Sequence, residues 1–206
     1  MGKALLAVLL ALVLAGCGSS GSGAPVTGIH TSDHDGYHGV LLEKPYAVPG
    51  LTLTDTDGKS FDLAAQERRT LVFYGYTNCP DICQVVMSTI VSALARLSPE
   101  EKRQVQVVFI TTDPARDTRS RLRTYLNRFD PSYIGLTGSI DRINDLAKRM
   151  DVYLEKGHKL PSGGYAVDHS TVVVSVDQGA GDLVWTGATS PADMAEDLDK
   201  ILAAKQ

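Results

Sequence analysis

Two cysteines at the junction between a strand and a helix constrain this chain more than any other feature. Residues 70–76 are apolar and β-rich, which predicts a buried strand. After Cys83, apolar residues recur with helical spacing, and no Gly or Pro falls within residues 85–97, which predicts a helix. Cys79 and Cys83 are therefore expected on its first turn, where a spacing of four residues puts Cβ atoms roughly 5–6 Å apart. Such a pair can hold a metal ion or close into a disulfide, and a helix N-terminus favours the thiolate form.

The N-terminus has the organisation of a secreted lipoprotein. A basic residue and an apolar run too short to span a bilayer open the chain, and the letters LAGC at residues 14–17 resemble a bacterial lipobox. We therefore expect a lipoprotein signal peptide at residues 1–16, a lipid on Cys17, and a flexible, Gly/Ser-rich tether over residues 17–45. This organisation would anchor the protein to the cell membrane on its extracytoplasmic face. Ordinary secretion with an incidental Cys17 is the alternative.

The cysteine count supports a functional pair. The chain has 3 cysteines, and lipidation of Cys17 leaves only Cys79 and Cys83. A bond between them would close too small a loop to stabilise the fold much. Outside the cytoplasm such a pair oxidises unless it is kept reduced or bound to a metal. The net charge is -4 and the sequence has no basic run, so we expect no nucleic-acid partner.

The order of predicted elements indicates a single α/β domain over residues 46–206. Asp57-Gly58 separates two alternating segments, which predicts a β-hairpin. Further strands are predicted at 105–111, 133–137 and 170–176, and helices at 118–128, 139–150 and from Ser190 onward. This order predicts a thioredoxin-like fold, with a central, mostly parallel sheet flanked by helices and an N-terminal β-hairpin extension. Sites in such sheets form beyond the carboxyl ends of strands, which is where the cysteine pair lies.

His169 is the candidate third ligand. It stands directly before the strand at 170–176, where thioredoxin-like oxidoreductases carry a proline packed against the dithiol. This chain has no proline between Pro161 and Pro191, so fold analogy brings the imidazole near the two sulfurs. The spacing alone leaves a second interpretation open, a partly buried histidine with a backbone partner.

Two thiolates and one imidazole make a low-coordinate set that suits Cu(I), whereas tetrahedral zinc requires a fourth ligand. The same donors accept Cu(II) if a further ligand is added. Both cysteines must lose their protons, so binding should weaken at low pH. A site with an incomplete coordination shell can pass its ion to a partner through shared thiolates, which is what a carrier requires.

Three motifs in this order resemble the Sco/SenC proteins of cytochrome c oxidase assembly. They are YGYTNCPDIC at residues 74–83, TDPARDT at residues 112–118 and DHS at residues 168–170. A CxxxC pair alone is weak evidence, but the three motifs behind a membrane anchor are specific. The chain departs from the family pattern at Asn78, where many members carry histidine, and at Gln84, where many carry proline.

The resemblance implies a copper-binding domain with Cys79, Cys83 and His169 as ligands. It implies a metallochaperone, rather than an enzyme, that helps to build the binuclear copper centre of cytochrome c oxidase subunit II. Another copper chaperone is then a candidate donor. The resemblance also implies a loop at residues 157–164 beside the site.

Three carboxylates are candidates for a second shell or a partner contact. Asp81 lies between the cysteines, where it would raise the pKa of the thiols or contact a partner. Asp113 and Asp117 are expected at the mouth of the site. Each is equally interpretable as a cap or loop carboxylate.

His30, His34 and His38 lie among acidic residues in the lead-in to the domain. They are interpreted as a solvated segment. The alternative is a weak auxiliary metal-binding arm, since imidazole and carboxylate suit divalent transition metals.

A thiol–disulfide reductase is the main competing function. Cys79 would attack as the thiolate and Cys83 would resolve, keeping the copper-site cysteines of the oxidase reduced. A thiol peroxidase suits the fold but not the residues, because Cys79 lacks the preceding proline and an activating Arg. An inert structural lipoprotein would leave the cysteine pair unexplained.

Overall fold

A computed structural model of the chain describes residues 36–159 and 165–204, with the backbone alone at 156, 158, 159 and 165–169. The strands are β1 Val40–Ala47, β2 Thr52–Asp55, β3 Ser60–Asp62, β4 Arg69–Gly75, β5 Val105–Thr111, β6 Ile134–Thr137, β7 Leu154–Lys159, β8 Tyr165–His169, β9 Val173–Asp177 and β10 Ala180–Trp185. The helices are α1 Ile82–Leu94, α2 Pro99–Gln104, α3 Arg119–Leu126, α4 Ile140–Arg149 and α5 Pro191–Ala203. None of these helices combines the length and apolarity needed to cross a bilayer. The expected signal peptide, Cys17, His30 and His34 lie outside the described residues.

Eight strands form one sheet in the order β1-β10-β9-β4-β5-β6-β2-β3, and β7 pairs with β8 separately. The expectation of a mostly parallel sheet is wrong in detail. Only β4–β5 and β5–β6 are parallel neighbours, and the other pairings are antiparallel. Two hairpins, β9–β10 and β2–β3, whose tight turns require antiparallel strands, flank the parallel centre. Each hairpin also joins that centre by an antiparallel pairing, β9 with β4 and β2 with β6.

The central strands are covered on both faces. Every residue of β4 and β5 is buried, as their near-continuous apolar sequences predict. Leu71 and Phe73 pack in the core beneath α1, α3 and α5, whereas Val72 and Tyr74 pack in the core that contains α4. The predicted layering of helices on a sheet is therefore observed.

Serine N-caps fix where three of the helices begin. Ser98, Ser139 and Ser190 each accept a hydrogen bond from a backbone N–H in the first turn of the helix that follows. Ser98 also forms a reciprocal capping box with Glu101. These starts follow directly from the sequence signals.

Two segments have a secondary structure that differs from the one expected from the sequence. Strand β1 begins at Val40 and pairs with β10, so part of the segment expected to be a tether to residue 45 is a strand. Strand β7 extends to Lys159 and pairs with β8, so part of the loop expected at residues 157–164 is a strand. Strand β1 pairs with residues far away in the sequence, and β7 pairs with the strand that follows it. Local patterns did not reveal either pairing.

Candidate metal centre

The two cysteines flank the start of α1 rather than sharing its first turn. The helix begins at Ile82 with Asp81 as its N-cap, so Cys79 lies in the turn before the helix and Cys83 is its second residue. The N–H of Cys79 donates to the carbonyl of Tyr76 at 3.1 Å, which closes this turn. The expectation that both cysteines lie on one helical turn is therefore corrected.

The sulfur of Cys79 nevertheless lies against the helix N-terminus. The backbone N–H of Cys83 donates to Cys79 Sγ at 3.3 Å. The first four N–H groups of a helix have no partner within the helix, so the sulfur satisfies one of them. Both residues are present as thiols, with Cys79 5% exposed and Cys83 0% exposed.

The surroundings of Cys83 disfavour its thiolate form. The pKa of Cys83 is raised, first by the hydrogen bond that its side chain shares with Cys79 and second by burial. The charge of Asp117 acts in the same direction, whereas a backbone hydrogen bond to Tyr76 opposes it. These effects oppose the thiolate form that the helix N-terminus was expected to favour at Cys83.

Gly75 is a site residue that the sequence analysis missed. A Cβ at this position would lie 2.9 Å from Phe109 Cζ and 3.1 Å from Cys83 Sγ. Because Gly75 has no side chain, the thiol of Cys83 has room to lie beneath strand β4. A glycine within a buried strand is a signal for such a close approach, and it was available in the sequence.

The loop between β5 and α3 supports the turn that carries the cysteines. Thr112 donates to the carbonyl of Gly75 from its N–H at 2.7 Å and from its hydroxyl at 3.2 Å. The guanidinium of Arg116 lies 5.8 Å from the centroid of the Tyr76 ring, within cation–π range. Residues 75 and 76 are therefore each held from the same loop.

The three candidate carboxylates have structural partners. Asp113 and Asp117 are 3% and 1% exposed, so they lie behind the turn rather than at its mouth. Asp113 forms an ion pair with Arg116, and Asp117 accepts hydrogen bonds from Thr77. Asp81, the N-cap of α1, is exposed. Among the described side chains, no three His, Cys, Asp or Glu residues gather as a metal site.

The backbone of His169 lies at the same end of the sheet as the cysteines. His169 ends β8, where it pairs with Leu154, and β9 begins four residues later at Val173. Val173 pairs with Phe73 near the carboxyl end of β4. The His169 side chain lies outside the described residues, so its part in the ligand set stays a prediction.

His38 belongs to a separate cluster. Its Nε2 lies 3.0 Å from Glu196 Oε2 and its Nδ1 lies 3.7 Å from Asp193 Oδ1, both on α5. The pKa of His38 is raised, chiefly by the hydrogen bond with Glu196. This histidine ties the lead-in segment to the last helix.

Known proteins share this fold and parts of this sequence. A protein of Stutzerimonas stutzeri named for copper binding is 36% identical over 132 residues, which are 64% of this chain and 64% of that protein. The chain thus spans less than two thirds of the length of this relative. The solution structure of apo Sco1 from Thermus thermophilus aligns with a TM-score of 0.71 and 29% identity, covering 82% of this chain and 97% of that one.

A copper-bound relative aligns over a similar range. The crystal structure of ScoI from Arabidopsis thaliana with copper bound gives a TM-score of 0.68 and 27% identity, covering 77% of this chain and 99% of that one. These alignments confirm the predicted thioredoxin-like α/β fold. The sequence model of the SCO1/SenC family matches residues 42–203, from β1 to α5. The chain therefore belongs to the SCO1/SenC family.

Proposed function

We propose that this protein is an extracytoplasmic copper metallochaperone. It binds copper as its cargo through Cys79, Cys83 and His169 and delivers it to the binuclear copper site of cytochrome c oxidase subunit II. The observation that carries the proposal is the contact between the cysteines, in which the Cys83 N–H donates to Cys79 Sγ at 3.3 Å. That contact places Cys79 Sγ against the backbone of the second cysteine, beyond the carboxyl end of β4. Strand β9 begins at the same end of β4, and His169 lies four residues before it.

The donor set suits copper better than other metals. Thiolates are soft ligands that prefer Cu(I), and two of them with one imidazole leave the coordination shell incomplete. The described carboxylates nearby have partners within the protein, so a hard-metal site is not favoured. Copper-bound structures of family members from Arabidopsis thaliana and Bradyrhizobium japonicum support the same metal.

Delivery requires access to a partner at the membrane. A lipid on Cys17 would hold the domain at the extracytoplasmic face of the membrane, where an oxidase subunit and a donor chaperone can meet it. Of the two cysteine residues, Cys79 is the outer one, with 5% of the residue exposed against 0% for Cys83. A partner thiolate would therefore approach copper from the Cys79 side, and the ion would pass through a shared intermediate.

The contact between the two cysteines also supports a second candidate, the thiol–disulfide reductase. Cys79 would attack one sulfur of a partner disulfide as the thiolate and release the other sulfur as a thiolate. Cys83, after losing its proton, would displace the partner from the mixed disulfide. The partner gains two electrons and the Cys79–Cys83 pair is oxidised to a disulfide.

A copper titration separates the two functions. The full-length protein is purified in detergent, reduced and without air, and Cu(I) binding is measured by chelator competition for wild type, Cys79→Ser and His169→Ala. A chaperone predicts one tightly bound Cu(I) in wild type and its loss in both variants. A reductase predicts that His169→Ala retains both copper stoichiometry and disulfide reduction, whereas Cys79→Ser loses reduction.

A further inference from the structure

We propose that Asp117 is a positioning residue for the cysteine pair. Its buried carboxylate holds the turn between β4 and α1, so that the two sulfurs lie side by side before a metal arrives. This inference rests on the proposed metal site and concerns how that site is built. The relevant turn is the stretch from Tyr76 to Asp81.

Both oxygens of the Asp117 carboxylate are used. Oδ2 accepts the backbone N–H of Thr77 at 2.9 Å and the hydroxyl of Thr111 at 2.7 Å, and Oδ1 accepts the hydroxyl of Thr77 at 2.5 Å. A carboxylate that is 1% exposed persists only when it is hydrogen-bonded in this way. Because Thr77 stands two residues before Cys79, the carboxylate fixes the chain where it enters the cysteine turn.

Asp117 is itself held by rigid elements. Its N–H donates to the carbonyl of Asp113 at 2.9 Å, and the next residue, Thr118, is the N-cap of α3. Thr111 ends β5 and pairs with Gly75 at the end of β4. The carboxylate thus ties the cysteine turn to the ends of two strands and to the start of a helix.

The consequence is preorganisation of the ligand pair. Without these three hydrogen bonds, the turn would have to be ordered when the metal binds, and that entropy cost would weaken binding. Residues that orient metal ligands from outside the first shell typically change metal affinity by about 10- to 100-fold when they are removed.

The chain offers a matched control in Asp197. This carboxylate is also 1% exposed, and it also accepts three hydrogen bonds, all at 2.8 Å. Its donors are the N–H groups of His38 and Gly39 and the indole of Trp185, so it ties down the lead-in segment instead of the cysteine turn. Replacing it imposes a similar structural cost without touching the turn.

The test measures Cu(I) affinity and thermal stability of the full-length protein with Asp117→Ala, Asp117→Asn and Asp197→Ala. We expect Asp117→Ala to lower Cu(I) affinity about 10- to 100-fold. We expect Asp117→Asn to stay within about threefold of wild type, because its carbonyl still accepts two donors and its amide can donate to the Thr77 hydroxyl. Asp197→Ala should lower the melting temperature and leave copper affinity unchanged.

Two results would overturn the inference. One is an affinity for Asp117→Ala equal to that of Asp197→Ala, which would make the carboxylate merely structural. The other is an equal loss in Asp117→Asn and Asp117→Ala, which would assign the effect to charge instead of hydrogen-bond geometry.

A second measurement separates this inference from the proposed function. The thiol–disulfide equilibrium of the cysteine pair in glutathione buffers needs no copper. We expect Asp117→Ala to shift it severalfold toward the dithiol, because sulfurs that are no longer held together form a disulfide less readily. If wild type binds no copper but this shift appears, the copper proposal fails and the positioning role stands. If Asp117→Ala shifts the equilibrium no more than Asp197→Ala does, the positioning role fails.

Discussion

The inner and outer sulfurs of the site have different neighbours. Cys79 Sγ accepts the N–H of Cys83, whereas Cys83 Sγ and the Phe109 ring both border the space that Gly75 leaves open. The position of the inner sulfur is set by packing, and we propose that the outer sulfur is the one that meets a partner. The position of the inner sulfur depends on the space that Gly75 leaves.

Gly75→Ala tests this packing. The added methyl would lie 2.9 Å from the Phe109 ring and 3.1 Å from Cys83 Sγ, so either the ring or the sulfur must move. We expect a loss of about 1–3 kcal/mol in the free energy of unfolding, as for other overpacked cores. We also expect weaker Cu(I) binding, measured by chelator competition alongside urea denaturation.

Gly135→Ala is the control for that experiment. Its Cβ would lie 2.7 Å from Leu122 Cγ, a comparable clash in β6 that involves no cysteine. It should cost similar stability and leave copper affinity intact. If both variants bind copper like wild type, the space at Gly75 serves the fold alone.

At the scale of elements, local signals predicted the regular helices but not the strands at the margins. The N-caps Ser98, Ser139 and Ser190 can each be recognised from about four consecutive residues of sequence. Strand β1 pairs with β10 about 140 residues later and has an irregular register between Leu41 and Tyr46, so it shows no clean alternation. Pairing over that distance is decided by tertiary structure rather than by propensity.

The lead-in segment and α5 form a contact that depends on pH. The raised pKa of His38 comes chiefly from its hydrogen bond with Glu196; desolvation opposes the shift, and the charges of Asp193 and Asp197 add to it. A raised pKa in the folded state means that the stabilisation is fully present below the unfolded value of about 6.5. It is lost as pH rises through the folded pKa.

An NMR titration of the His38 ring tests this contact. We expect a pKa above 6.5, the ordinary value for histidine. In Glu196→Gln the pKa should fall toward that value, because the charged acceptor is removed. A wild-type pKa at or below the ordinary value would show that the ring does not contact α5 in solution.

At the scale of the whole molecule, the sheet brings together residues that are far apart in sequence. The family motifs predicted the fold and the cysteine pair, because strand β4, the cysteines and the helix are contiguous. The sequence also indicated Asp117 as a candidate for a second shell, but its contact with Thr77 was not predictable, since the two residues are 40 positions apart. Polar contacts of this kind depend on the exact course of a loop, which no local pattern encodes.

The proposed third ligand depends on the same long-range assembly. We propose that His169 reaches the site because β9 lies beside β4, with Val173 opposite Phe73. Because the proposed ligands are far apart in the sequence, the proposed copper site would form only in the folded molecule. The central claim is therefore that two early sulfurs and one late imidazole bind the same ion.

Copper K-edge X-ray absorption on the Cu(I)-loaded, full-length protein tests that claim most directly. The account predicts two sulfur neighbours and one imidazole nitrogen in wild type, with the nitrogen lost in His169→Ala. A wild-type spectrum without the imidazole, or a spectrum that is unchanged in His169→Ala, would contradict it.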